Sequence, residues 1–459
     1  MDQGCDALVF FGATGDLAYK QIFPALQAMV VRGNLDVPVI GVAKAGWNLA
    51  QLVERARDSL EHHGTFDAGA FDRLTALLRY VDGDYADAAT FTQLKRELGD
   101  ARHPVHYLAI PPSMFGTVVE QLAASGCASG ARVVIEKPFG RDLASSQELN
   151  ETVRSVFPED AIFRIDHFLG METVDNIAYF RFANVFLEPF WNRTYVDSIE
   201  ITMAESFGVS GRGAFYDSAG AIRDVVQNHL LQVVGLLMME PPSAWNAAAL
   251  HREQLKIFSS IPPLGPDDVV RGQFRGYHDE PGVKPGSTVE TYAALRLQVD
   301  DWRWAGVPLS IRAGKCLPLT ATEVYVELKR PPQALYGPID TPNFVRFRLG
   351  HELTISIGAH VLPSQTAAAA SDGDVELLAQ RARHESISPY ERLLTDAMRG
   401  DRMLFSPQDN VEALWRIVEP VLDDATPVHV YEPGTWGPPE ADPLGGANGW
   451  RDPTAVDQD

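Results

Sequence analysis

Near the start of the chain, an apolar run ends in the segment FFGATGDLAYK. Gly12, Gly15 and Ala18 stand three residues apart where a strand would turn into a helix. Small residues at that spacing let the backbone approach a pyrophosphate, which then rests on unpaired N–H groups at the helix start. Thr14, Asp16 and Leu17 fill the turn. The first glycine of the usual G-x-G-x-x-G pattern is replaced by Phe10, so it is the strand–turn–helix context that points to a dinucleotide. The next apolar run, VIGVAK, ends in Lys44 where an NAD site usually carries an acidic residue for the ribose 2′-hydroxyl. A lysine there suits a 2′-phosphate, so NADP is the expected coenzyme, with NAD as the alternative. His62-His63 and His103-x-x-His106 do not present their rings together, and no Cys or carboxylate set completes a metal site. No metal is expected.

The elements that must hold this turn are written in the periodicity of the first 165 residues. Apolar runs at Ala7–Phe11, Val37–Val42, Val105–Ile110, Arg132–Ile135 and Ile162–Ile165 alternate with amphipathic stretches at Asp16–Val31, Leu49–His62, Phe91–Leu98, Ser113–Ala124 and Leu143–Val156. Strands alternating with helices predict βαβ units and a doubly wound parallel sheet over 1–165. From 166 to 450 the pattern predicts an α+β domain. Helices fall at Ser218–Met239, His251–Ser259, Tyr390–Met398 and Val411–Val421. Strands in series at Tyr292–Val299, Leu309–Ala313, Glu323–Lys329, Val345–Leu349 and Leu353–Ile357 predict a mainly antiparallel sheet. Ala367–Ala370 reads as loop, the chain from Gly434 as irregular, and 451–459 as a mobile tail.

Composition narrows the function class. The 39 Lys+Arg and 61 Asp+Glu give 39 − 61 = −22 over 459 residues, against a nucleic-acid or anionic-membrane partner. Three cysteines, Cys5, Cys127 and Cys316, are too few for a disulfide framework. The acidic N-terminus lacks a basic n-region, and LLQVVGLLMM is far short of the roughly 20 residues that span a bilayer. A cytoplasmic protein is expected.

Seven segments in order resemble the glucose-6-phosphate dehydrogenase family: GATGDLA, YLAIPP, RVVIEKPFGRDL, RIDHFLG, GRGAFYDSAGAIRDVVQNHLLQ, GVPLSIRAGK and YEPGTWGPPEAD. The resemblance spans nearly the whole chain. It implies a Rossmann-like coenzyme domain, a large α+β domain with a broad sheet, a homodimer, and oxidation of an aldopyranose at C1 to the lactone. It assigns His229 as the base and Asp166 as its carboxylate partner, roles that suit a residue titrating near neutrality and an orienting anion. It further assigns Lys137 to the link between coenzyme and sugar, Ile110 and Pro111 to a coenzyme loop where the X-Pro bond is a candidate for cis geometry, and Glu205, Asp224 and Lys315 to the sugar. His167 belongs to the same sugar-binding run.

The chain departs from the family pattern in one place above all. RIDH is normally followed by Tyr-Leu-Gly-Lys, whose hydroxyl and ammonium hold the sugar's 6-phosphate; here Phe168 and Met171 stand there. Gln21 replaces an expected coenzyme-loop lysine, and Thr320 stands where a basic residue is usual. Charge-assisted hydrogen bonds contribute about 1.5–3 kcal/mol each. The expectation is therefore an NADP-dependent C1 dehydrogenase of an unphosphorylated or C6-modified sugar. The alternatives are an ordinary glucose-6-phosphate dehydrogenase with a rewired phosphate site, Arg164 or Arg181 supplying the cation, and a non-catalytic NADP-binding regulator.

Overall fold

Strand β1 (Ala7–Phe11) is buried at every residue, as are β2 (Val39–Ala43) and β4 (Pro104–Leu108). Burial on both faces is the mark of a parallel sheet covered by helices. With β3 (Leu78–Asp82), β5 (Arg132–Glu136) and β6 (Ile162–Ile165) they form six parallel strands in the order β3-β2-β1-β4-β5-β6. That is the doubly wound dinucleotide-binding order, whose crevice lies at the carboxyl ends of β1 and β4. The computed structural model of the chain describes residues 4–333, 341–350, 353–361, 374–380, 387–446 and 449–454. Ala367–Ala370 lies outside them.

Two units divide the chain: Met1–Met171 with Ser243–His251 and Ile387–Glu412, and the remainder. The first unit thus reaches six residues past the expected boundary and recruits a late helix, Pro389–Arg399. Its Leu393, Leu394 and Ala397 bury against the same apolar cluster as Leu8, Phe10 and Leu26. Arg32 fixes it with a two-pronged bond to Glu391, at 2.8 and 2.9 Å.

The second unit is built on nine strands: β7 (Val196–Ala204), β8 (Val269–Phe274), β9 (Tyr292–Leu297), β10 (Leu309–Gly314), β11 (Ala321–Leu328), β12 (Phe344–Leu349), β13 (Leu353–His360), β14 (Asp374–Gln380) and β15 (Val428–Tyr431). Their order is β14-β13-β12-β11-β7-β10-β9-β8-β15. Six of the eight junctions are antiparallel; β10 on β7 and β15 on β8 are parallel, so the sheet is mixed and mainly antiparallel. Helix Glu172–Ala183 covers part of it, and Arg181 donates to the carbonyls of Leu236 (2.8 Å) and Met239 (2.9 Å) at the end of helix Leu231–Met238.

The first part of the expected mobile tail is held. Arg312 donates to Asp452 at 2.7 Å, and the Arg451 N–H donates to Glu200 at 2.8 Å. Residues 455–459 lie outside the described residues.

Candidate active site

The glycine turn forms where the sequence places it. Gly12 has φ +82°, and a β-carbon built there would stand 2.1 Å from the Ala109 carbonyl oxygen and 3.3 Å from Ile110 Cγ2. No side chain fits. The turn closes by a Gly15 N–H bond to the Gly12 carbonyl at 2.9 Å, and Tyr85 braces it, its hydroxyl 2.9 Å from the Gly12 N–H. Thr14 is half-buried, Asp16 exposed and ion-paired with Lys20 at 3.5 Å, and Leu17 packs against the core. Ile110 and Pro111 follow β4, so the turn and the 109–111 loop share one end of the sheet. Lys44 closes β2 and pairs with Asp84 at 2.6 Å. This backbone cradle fits a dinucleotide pyrophosphate. Ile110–Pro111 is not cis; the cis peptide bond among the described residues is Lys137–Pro138.

Asp166, Lys137 and His167 follow the carboxyl ends of β6 and β5 in the same unit. Asp166 is 2 % exposed and accepts the Phe168 N–H at 3.0 Å. Its carbonyl accepts from Leu169 at 3.0 Å, and Met171 N–H bonds the Phe168 carbonyl at 3.1 Å, so RIDHFLGM is wound into successive tight turns. Phe168 is buried and Met171 half-buried. The His167 ring lies parallel to Tyr390, 9° between planes and 6.3 Å between centroids. One residue before Lys137, Glu136 is buried and accepts the Tyr107 hydroxyl at 2.6 Å. Burial pushes its carboxyl up to about 7, and the Asp166 charge adds to the rise while Tyr107 and Lys137 oppose it. Glu136 carries no signal in sequence spacing; it stands out only once its enclosure is seen.

In the second unit His229 lies in Ile222–Leu230, wound with wide π-type turns and continued by helix Leu231–Met238. Such turns gather at functional sites. His229 is 3 % exposed, and its backbone N–H donates to the Asn228 side-chain oxygen at 2.6 Å. Lys315 is ion-paired with Glu205, its ammonium 5.1 Å from the Phe207 ring centre and 5.4 Å from that of Tyr216. Burial, then the carboxylates of Asp224, Glu290 and Glu205, drive the Tyr216 phenol far above its usual range. Thr320 accepts the Ser206 N–H at 3.0 Å beside Glu205. The two arginines considered as replacement cations are spent on structure. Arg164, 2 % exposed, is forked onto Glu159 at 2.7 and 2.9 Å, and Arg181 caps helix carbonyls.

A doubly wound sheet with a glycine cradle, and a second unit carrying both a buried histidine and a lysine–carboxylate pair, fit a nicotinamide-dinucleotide-dependent dehydrogenase. Residues 9–176 match the family described as glucose-6-phosphate dehydrogenase, NAD binding domain, and 178–451 match its C-terminal domain. The chain belongs to the glucose-6-phosphate dehydrogenase family. It is 44% identical over 456 residues to the glucose-6-phosphate 1-dehydrogenase 1 of Mycobacterium tuberculosis, covering 98% of this chain and 96% of that one. It is 36% identical over 482 residues to the enzyme of Aggregatibacter actinomycetemcomitans, covering 98% of each. The crystal structure of glucose-6-phosphate 1-dehydrogenase from Mycobacterium avium superposes with a TM-score of 0.91, covering 99% of each chain at 44% identity. A glucose-6-phosphate dehydrogenase in complex with its substrate glucose-6-phosphate gives 0.89 at 30% identity, covering 99% of this chain and 100% of the other. The chain is therefore an enzyme, an oxidoreductase using NAD(P), and the non-catalytic alternative falls away. Among the described residues no helix is long and apolar enough to cross a membrane.

Proposed function

We propose that this chain is an NADP-dependent glucose-6-phosphate 1-dehydrogenase that oxidises the C1 hydroxyl of the sugar to the lactone. The observation that carries this reading is the 44% identity, over 98% of the chain, to a relative of that name. The expectation of an unphosphorylated or C6-modified sugar gives way to it, since relatives down to 36% identity carry the same name. The bound coenzyme supplies the acceptor for the C1 hydride. His229 takes the C1 hydroxyl proton, and Asp166 holds the imidazole in the required tautomer. Glu205, Asp224 and Lys315 bind the sugar, and Lys137 serves both coenzyme and sugar. Lys315 and His167 remain for the phosphate. Phe168 and Met171 bring it no donors, so a KM higher than that of a Tyr/Lys enzyme follows.

We infer that the working form is a cytoplasmic homodimer; a sedimenting mass of twice the chain's 50.4 kDa supports the dimer and a single-chain mass rejects it. The substrate test follows absorbance of the reduced coenzyme with NADP⁺ and glucose 6-phosphate, glucose, or C6-modified pyranoses. The reading expects glucose 6-phosphate to give the highest kcat/KM. Turnover restricted to unphosphorylated or modified sugars sinks it.

A further inference from the structure

The loop after β2 is the part of a doubly wound sheet that meets the adenosine ribose, and here its anion-binding groups already have carboxylate partners. Lys44 donates to Asp84 at 2.6 Å. Asp82 accepts the N–H groups of Ala45 (3.0 Å) and Gly46 (2.8 Å), with the Tyr80 hydroxyl on the same oxygen at 2.9 Å. Burial works against ionisation of Asp82, yet these bonds and one from Trp47 hold its carboxyl below the usual range. The Ala86 N–H and then Lys44 do the same for Asp84. Both carboxylates are therefore charged at neutral pH. Lys44 and Asp84 are 70% and 42% exposed, so the pair is open to an arriving ligand.

A 2′-phosphate seated at Lys44 must share the ammonium with Asp84 or displace it, and lie beside two carboxylates, whereas a 2′-hydroxyl can donate to either. We propose that Asp84 is a specificity-determining residue that opposes the 2′-phosphate at Lys44, narrowing the preference for NADP over NAD so that both coenzymes serve. This rests on the coenzyme reading of the proposed function and needs no sugar.

Asp84→Asn is the discriminating variant. It keeps an oxygen for the Ala86 N–H, bonded at 3.0 Å, and leaves the Asp84 carbonyl to accept from Thr90 at 2.8 Å. Equilibrium titrations at low salt with adenosine 2′,5′-bisphosphate and with 5′-AMP, read by calorimetry on the full chain, separate the 2′ contribution from the rest of the coenzyme. Removing an exposed ion-pair competitor and a like charge is expected to tighten the bisphosphate by roughly three- to tenfold while 5′-AMP changes less than about twofold. The gain should shrink as salt is raised. An unchanged ratio overturns the proposal. So does weaker bisphosphate binding, which would make Asp84 a residue that aims Lys44 at the phosphate. A chain that bound both nucleotides but never turned over glucose 6-phosphate would reject the proposed function and leave this comparison standing.

Discussion

At the scale of single residues, groups assigned to do chemistry are distinct from groups that hold them. His229 is the assigned base, and its replacement by Asn keeps a polar side chain of similar reach without a titratable nitrogen. Loss of a positioned base costs typically 10²–10⁴-fold, so kcat of His229→Asn should fall by about that factor with KM for glucose 6-phosphate changed little. A raised KM with kcat intact would recast His229 as a binding residue. Glu136 gives a prediction about pH. Its carboxyl, pushed up to about 7, keeps a proton in the folded chain that the unfolded chain releases from about 4.5 upward. The sign is fixed by that difference: this group's contribution to stability falls as pH rises from about 4.5 to 7. The rings of buried His106 and half-buried His251, both lowered by loss of solvent to about 4, act in the opposite sense over much of the window. The wild-type profile therefore hides the effect, and the comparison must be with Glu136→Gln. Stability of wild type minus that of the variant should decline by up to roughly 3 kcal/mol across the window, about 1.4 kcal/mol for each pH unit crossed. A flat difference in urea midpoints would mean the carboxyl is ionised in place.

At the scale of elements, most of what positions the site was legible. The turn at Gly12–Ala18, β1, β5 and the helix carrying His229 fall where periodicity and motif put them. The misses have physical causes. β3 is an edge strand with two of its five residues exposed, so LRYVD lacks a two-faced apolar run. Central β7 alternates Ile199, Ile201 and Met203 with Glu200 and Thr202; the alternation was there to be read, but its polar face is buried and bonded inside the protein. β8 hides Arg271, which is paired with Glu290 at 3.2 Å, inside what reads as a polar loop. Helix Glu172–Ala183 mixes buried Val174 and Ile177 with exposed Tyr179 and shows no single apolar face. That helix carries its own test. Arg181→Met keeps apolar volume but orphans the Leu236 and Met239 carbonyls. An unsatisfied buried acceptor costs about 1–3 kcal/mol, partly offset because burying the guanidinium is itself unfavourable. Burial holds that guanidinium down to about 9. A net loss of roughly 1–3 kcal/mol in urea unfolding is expected; no loss would show the two effects cancel.

At the scale of the whole molecule, the two units divide the assigned roles. The first carries the coenzyme cradle, Lys137 and Asp166; the second carries His229 and the Glu205–Lys315 pair. Sequence made the reaction class readable, because that depends on a few residue types in short motifs. The expected unphosphorylated or C6-modified sugar finds no support, and its alternative fits better, because Phe168 and Met171 weigh heavily when read alone and lightly against 44% identity along 98% of the chain. Arg164 and Arg181, plausible as cations from sequence, are tied up in structural bonds once the fold is known. C1 oxidation of glucose 6-phosphate is tested most directly by following the hydrogen itself. The enzyme would be given NADP⁺ and glucose 6-phosphate deuterated at C1, with the reduced coenzyme and the sugar product weighed by mass spectrometry. Hydride transfer from C1 predicts one deuterium on the reduced coenzyme and none on the product. Deuterium retained on the sugar, or no reduced coenzyme formed from glucose 6-phosphate, would contradict it.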